Sequence, residues 1–271
     1  MKPNLTVLMS VYNDSKYLKD SIESILSQSY GDFDFLIFDD ASNDGSTDIL
    51  KYYAKKDKRI QLIINPMRQG LSANLAKGVE LIGSTWIARM DSDDIAFKRR
   101  LEKQMGFVEL NPDVDVFGGY AIDINEFGEK NELRKVPTDH SKIVKLIWTC
   151  PIIHPTVLFK RSSIIRAGSY DAKLNRRQDY DLWFRSCAAG LKFANLDVPL
   201  IYYRFTEEYY KKNNFKVQLG QAKMGFKGAR LVKASPLAYF GITLAFIKGI
   251  LPSYIRRPVS KLINRVDPRR S

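Results

Sequence analysis

The first third of the chain alternates short apolar runs with amphipathic segments. LTVLMSV (5–11), FDFLIFD (33–39), IQLIIN (60–65) and TWIARMD (85–91) have the length and the β-branched or aromatic content of buried strands. Between them, Leu18, Ile22, Ile25 and Leu26 recur on one helical face behind Ser15 as N-cap, and Leu71, Leu75, Val79 and Ile82 do so behind Gly70. Strand–helix–strand alternation implies right-handed crossovers and a parallel, Rossmann-like α/β sheet with helices on both faces. In such sheets ligands sit beyond the carboxyl ends of the strands. Those ends read Tyr12-Asn13-Asp14, Asp39-Asp40, Asn65 and Asp91-Ser92-Asp93-Asp94. The expected binding edge is therefore acidic, and phosphate needs a cation there.

After Pro112 the pattern changes. VDVFGGYAIDINEFGEK reads as a strand and hairpin, PTVLFK (155–160) as a strand, QDYDLWFRSCAAG (178–190) as a helix ending at Gly190, and FANLDVPLIYYRF (193–205) as extended chain. From about residue 209 a basic segment with a roughly helical pattern leads into LAYFGITLAFIKGIL (237–251), an apolar block between Pro236 and Pro252. Fifteen residues fall short of the ~20 that span a bilayer. Such a block, flanked by Lys and Arg, suits the interface of an anionic membrane, where each surface basic residue contributes on the order of 1 kcal/mol. The other reading is a helix packed on the domain.

Charge sharpens this division. Residues 1–208 hold 29 Lys/Arg and 29 Asp/Glu, whereas 209–271 hold 14 basic residues and one acid, Asp267, so the whole formal +13 lies in the tail. A nucleic-acid binder would interleave basic residues through its folded part, which argues against that class. Cys150 and Cys187 are too few for a disulfide framework and lack CxxC spacing for zinc, so a reducing, cytosolic setting is expected. Leu5–Val11 runs into polar YNDSKY without a small-residue cleavage site, unlike a signal peptide.

Asp91-Ser92-Asp93-Asp94 closing a buried strand is the sharpest chemical signal. Clustered carboxylates suit Mn²⁺ or Mg²⁺, which leave positions open for substrate phosphate oxygens; the same residues also suit an acidic turn capping the next helix. Asp40, Ser42 and Asp44 before Gly45 mimic the start of a calcium loop, but Lys51 stands where a bidentate Glu is required, which excludes calcium. Neither a glycine-rich dinucleotide fingerprint nor a P-loop is present.

Three ordered stretches, the run from Leu5 to Leu50, then GLSANLAKGVELIGSTWIARMDSDD, then RQDYDLWFR, resemble the inverting family 2 glycosyltransferases of GT-A fold over roughly residues 4–205. The resemblance implies a nucleotide-sugar-binding half (1–111) and an acceptor-binding half (112–208) of one domain, followed by the helical basic and apolar tail (209–271). Val11 and Tyr12 would line the nucleotide pocket, Asp39 would face the uracil or ribose, Arg68 would reach the donor, and Asp91 and Ser92 would contact it. Asp91-Ser92-Asp93 matches the DXD motif. Asp93 would ligate Mn²⁺ or Mg²⁺, with Asp91 and Asp94 in support.

Where the family commonly carries Glu-Asp, this chain has Gln178-Asp179, and Asp179 takes the place of the catalytic base. Asp181 lies two residues on and points elsewhere on a helix. His154 in CPIIHPTVLFKR resembles a His-Pro segment beside the acceptor site, with acceptor contact, late metal contact and a structural role all open. Trp148 and Trp183 suit either a sugar face or the core. The implied activity is transfer of one sugar, most simply from a UDP-sugar, onto a glycan or lipid-linked acceptor in cell-surface polysaccharide assembly. The implied location is peripheral, at the inner face of the cell membrane. The competing classes are a DxD phosphatase, which wants its motif near the first strand, and a non-catalytic nucleotide-sugar-binding module.

Overall fold

The computed structural model describes residues 3–205 and 215–250. Among these, nine strands form one sheet: β1 (Leu5–Val11), β2 (Asp34–Asp39), β3 (Ile60–Ile64), β4 (Trp86–Met90), β5 (Ile95–Ala96), β6 (Val116–Ile124), β7 (Lys130–Arg134), β8 (Leu158–Lys160) and β9 (Phe193–Arg204). Their order is β3-β2-β1-β4-β8-β6-β9-β5, with β7 hairpinned onto β6. From β3 to β4 the pairing is parallel; antiparallel pairing enters with β8. Flanking it are α1 (Ser15–Leu26), α2 (Ser46–Lys56), α3 (Leu71–Leu81), α4 (Arg100–Leu110), α5 (His140–Lys145), α6 (Arg161–Arg166) and α7 (Gln178–Ala188).

The alternation along β1 shows why the sheet takes helices on both faces. Leu5, Val7, Met9 and Val11 pack in one layer with Leu18, Ile22 and Ile25 of α1, while Leu8 joins Leu75 and Val79 of α3 in the other. A strand period of two and a helix period of 3.6 bring these sets together. Fully burying each such side chain stabilises the fold by about 1.5–3 kcal/mol.

Two local expectations need correction. Asp14, not Ser15, is the N-cap of α1; Ser15 is already helical, and its N–H donates to the Asp44 carboxylate at 2.9 Å. The strand expected over 155–160 is confined to Leu158–Lys160, because His154–Thr156 forms a 3-10 turn. Pro155 has no N–H for a ladder, and the Thr156 hydroxyl donates to the Ile153 carbonyl (2.7 Å) and accepts from Gly119 N–H (3.1 Å).

The C-terminal helices α8 (Phe215–Leu231) and α9 (Pro236–Ile250) form an antiparallel hairpin, with Phe215 against Phe246 and Phe226 stacked on Tyr239. The packed-helix reading therefore holds for one face of each. Among the described residues no helix is long and apolar enough to cross a membrane. The segment IRRPVSKLINRVDPRR and the start of the basic tail lie outside the described residues.

Two glycines make the docking of this hairpin possible. A Cβ at Gly228 would stand 2.1 Å from the buried Phe184 ring of α7, and one at Gly241 2.2 Å from the Trp148 ring. Gly228→Ala is expected to cost about 1–3 kcal/mol through overpacking, read as a lowered midpoint of thermal unfolding. An unchanged midpoint would show that Phe184 has room to move.

Candidate active site

The strand order reverses beside β1, whose neighbours are β2 and β4. Met9 pairs with Met90, so the segments following β1 and β4 leave the sheet side by side. This is the crevice in which open α/β sheets bind ligands. The Ser92 hydroxyl donates to the Asp14 carboxylate and the Ser21 hydroxyl to the Asp91 carbonyl (2.8 Å), tying the two segments together. They border a cavity of about 360 Å³, whose walls also include Asp40, Arg68, Tyr203 and Arg204.

Asp91, Asp93 and Asp94 each bring a carboxylate oxygen within 4.8 Å of the others. Asp93 faces the cavity in part, yet burial of the rest, and then the charges of Asp91 and Asp14, push its carboxyl up to about 7. Asp94 is fully buried and is held well above the usual carboxylate range by burial first and by Asp93 and Asp91 second. One Asp94 oxygen accepts the Arg204 N–H at 2.8 Å; the other is buried without a partner. Hard, repelling oxygens with one buried and unpaired fit a divalent cation such as Mn²⁺ or Mg²⁺.

One arginine pairs with this negative charge and two more brace it. Arg89, 1% exposed on β4, is ion-paired to Asp91, while its Nε and Nη1 are buried without hydrogen-bond partners. Behind it, Arg100 donates to the Arg89 carbonyl (2.6 Å) and to Gln104 (3.0 Å); burial lowers its pKa to about 9, so it stays charged at neutral pH. Arg204 donates to the Asp93 carbonyl (2.8 Å) and lies 4.3 Å from the centre of the Tyr17 ring.

The residues expected to hold the nucleotide separate into two groups. Tyr12, Asp91 and Ser92 line the cavity with Arg68, whose guanidinium lies 3.9 Å from the Tyr12 ring centre. Val11 is fully buried in the core layer under α1, and Asp39 is fully buried, its carboxylate accepting from Ser42 N–H (3.1 Å) and the Thr47 hydroxyl (2.5 Å). The neighbouring Asp40 is the one at the cavity wall. It accepts from the N–H groups of Gln69 and Gly70, both at 2.8 Å, and so fixes the loop that presents Arg68. Burial works against its ionisation, but these bonds and those from Asn65 and Asn74 outweigh it and lower its pKa.

Asp179 stands in the first turn of α7, half-buried, with the Cys150 thiol 3.6 Å from its carboxylate. Cys150, in contact with it, and Arg177, two residues before it, both have left-handed backbones (φ 55° and 61°). Such conformations are uncommon outside glycine and cluster at functional sites. His154 Nε2 and Tyr170 OH form a buried pair, 2.9 Å apart. Burial, and then the Arg89 charge, hold His154 well below its ordinary pKa, hence neutral. Burial raises the Tyr170 pKa, and the charges of both Asp179 and Asp91 act on its phenol. Gln178 is buried, Asp181 is ion-paired to Arg185 (2.7 Å), and Trp183 is wholly in the core, edge-on to His154. Trp148 is half-buried under Gly241.

Asp14, Arg89, Cys150 and Arg204 were not singled out by sequence reasoning. A charged residue in the middle of the apolar run WIARM was a usable signal for Arg89, since arginine is almost never fully buried unless paired. Asp14 lies in the acidic strand ends. Arg204 and Cys150 carry no local mark, because only the tertiary fold returns them to the cavity and to Asp179.

The family model for glycosyl transferase family 2 matches residues 6–181. The O-antigen biosynthesis glycosyltransferase WbnJ of Escherichia coli is 34% identical over 215 residues, 77% of this chain and 82% of that protein. The S. aureus TarS 1–349 structure in complex with UDP-GlcNAc superposes with a TM-score of 0.66 at 15% identity, covering 91% of this chain and 81% of that one. The mannosyltransferase PcManGT of Pyrobaculum calidifontis, in complex with GDP-Man and Mn²⁺, does so with a TM-score of 0.61 at 17% identity, over 90% and 69%. With a mixed α/β sheet of this topology and a family match across both the acidic cluster and Asp179, the chain has the GT-A fold and belongs to glycosyl transferase family 2.

Proposed function

We propose that this glycosyltransferase moves one sugar from a nucleoside-diphosphate sugar, a UDP-sugar first among them, to a hydroxyl of a glycan or lipid-linked acceptor, with inversion at the anomeric carbon. The observation that carries the reading is the clustering of Asp91, Asp93 and buried Asp94 at a cavity that Asp91 and Asp93 line together with Arg68, Tyr12 and Arg204. Asp93, with Asp91 and Asp94, would hold Mn²⁺ or Mg²⁺; when bound, the cation offsets charge on the leaving diphosphate. Arg68 and Arg204 add fixed positive charge at the cavity wall, and the Tyr12 face offers a platform for a base or ribose. Asp179 takes the proton from the acceptor hydroxyl as it attacks the face opposite the leaving group. A single displacement of this kind inverts configuration, whereas retention needs a second, nucleophilic carboxylate.

Cell-surface polysaccharide assembly at the inner face of a membrane belongs to the same reading, supported by the relative named for O-antigen biosynthesis and by the basic tail. The test is a panel of UDP-, GDP- and dTDP-sugars with Mn²⁺, following slow release of the nucleotide. Release from one series assigns the donor. If phosphomonoesters are cleaved instead, the phosphatase reading replaces this one, and binding without release leaves only a binding module. Arg68→Ala is expected to raise the donor KM by roughly tenfold, the loss of a contact worth about 1–2 kcal/mol, with kcat little changed. An unaltered KM would remove Arg68 from the donor site.

A further inference from the structure

The α8–α9 hairpin covers α7 with one side and leaves an apolar stripe on the other. Along α9, Ala238 is buried and Ile242 packs with Ala222 and Ala229 of α8, whereas Leu237, Phe240, Leu244 and Ile247 are 64%, 60%, 40% and 45% exposed. Their spacing of three, four and three residues lines them up on one helical face. On α8, Lys223, Lys227 and Arg230 are exposed around Phe226, which is itself 38% exposed and stacked on Tyr239 of α9. From Phe215 to Ile250 the chain has six Lys/Arg and no Asp/Glu, and the residues beyond add further basic charge against a single acid. An apolar stripe left unpaired among the described residues, with an acid-free basic surface beside it, is complementary to a layer that is anionic outside and apolar beneath.

We propose that the α8–α9 hairpin docks on the surface of a bilayer containing anionic lipid, with Leu237, Phe240, Leu244 and Ile247 entering the boundary between headgroups and acyl chains. The helix lies in the interface and does not cross it, since its fifteen residues are too few to span. Docking also selects the acceptor. The hairpin rests on Phe184 and Tyr180 of α7, the helix that begins at Gln178-Asp179, and on Trp148, two residues from the Cys150 thiol beside Asp179. The base side of the site is thereby held next to the membrane, which fits an acceptor hydroxyl on a lipid-linked glycan. This last step rests on the glycosyl-transfer reading; the docking surface does not.

The test is flotation of the full-length protein with liposomes of phosphatidylcholine alone or mixed with phosphatidylglycerol. Wild type is expected to float with the anionic vesicles only, and less so in high salt. Phe240→Ser with Leu244→Ser should weaken flotation by about tenfold or more, with thermal midpoint and nucleotide release at wild-type levels. Lys223→Glu with Lys227→Glu should weaken it independently. Wild-type protein that fails to float, or a stripe variant that floats undiminished, overturns the proposal. So does a wild-type dimer in light scattering that becomes monomeric in the stripe variant, which would make the face a contact between copies. Flotation without nucleotide release from any donor would remove the enzymatic reading and leave the docking surface standing.

Discussion

Asp179→Asn is expected to leave nucleotide-sugar binding intact and to slow transfer by roughly a thousandfold, the usual scale for a lost general base. The substitution keeps the size and the hydrogen-bonding reach of the side chain and removes only its capacity to take a proton. Asp179 belongs to the first turn of α7 and is not among the residues that line the cavity; it and Asp91 each act on the Tyr170 phenol through their charges. Nucleotide affinity, measured by calorimetry with UDP and Mn²⁺, should therefore stay within about twofold of wild type. A variant with the wild-type transfer rate would remove Asp179 from the chemistry. Loss of nucleotide affinity as well would instead mark it as part of the donor pocket.

Asp93→Asn should produce the second large effect, with opposite signs in function and stability. Without metal, the Asp93 carboxyl is raised from its ordinary 3.8 to about 7, so between those values the folded protein binds more protons than the unfolded chain. Stability of the metal-free protein therefore falls as pH rises through this window. Asparagine carries no charge and removes that loss, so the metal-free variant should melt higher than wild type at pH above about 7 and about equally at pH near 4. Mn²⁺ at about a hundred times its dissociation constant should add about 2.7 kcal/mol to wild type and close to none to the variant, which should also lose transfer. The reading fails if Mn²⁺ stabilises the variant as much as wild type. Asp91→Asn should behave differently, since it strips the buried Arg89 of its one ion pair among the described residues and destabilises the protein before any metal is added.

These two sites were legible in the sequence to different depths. The acidic cluster could be found because a parallel sheet places its ligands at strand ends, and DSDD closes the apolar run WIARM. Asp179 could be found only through the resemblance of RQDYDLWFR to a family motif; nothing in its spacing marks a base. That Asp40, and not the expected Asp39, borders the cavity was not legible at all. Adjacent residues at a strand end point to opposite sides, and which side holds the cavity depends on where the loop at Gln69 and Gly70 folds back to donate its N–H groups.

The tail was half legible. Its charge and its apolar block are properties of composition, but a helix with apolar residues all round does not announce which face is covered. Close approach of Gly228 to Phe184 and of Gly241 to Trp148 decides that, and leaves Leu237, Phe240, Leu244 and Ile247 outside.

The sequence by itself determined the parallel part of the sheet, the acidic strand ends and the segregation of basic charge, because each follows from local periodicity or composition. Only the tertiary structure decided that Asp14 and Ser92 meet at the cavity wall, that Arg89 pairs with Asp91, that Arg204 holds the Asp93 carbonyl and the Asp94 carboxylate, and that Cys150 meets Asp179. Those contacts join residues far apart in the chain, and they form because β4 is held between β1 and β8 and the end of β9 is carried back to the carboxyl edge.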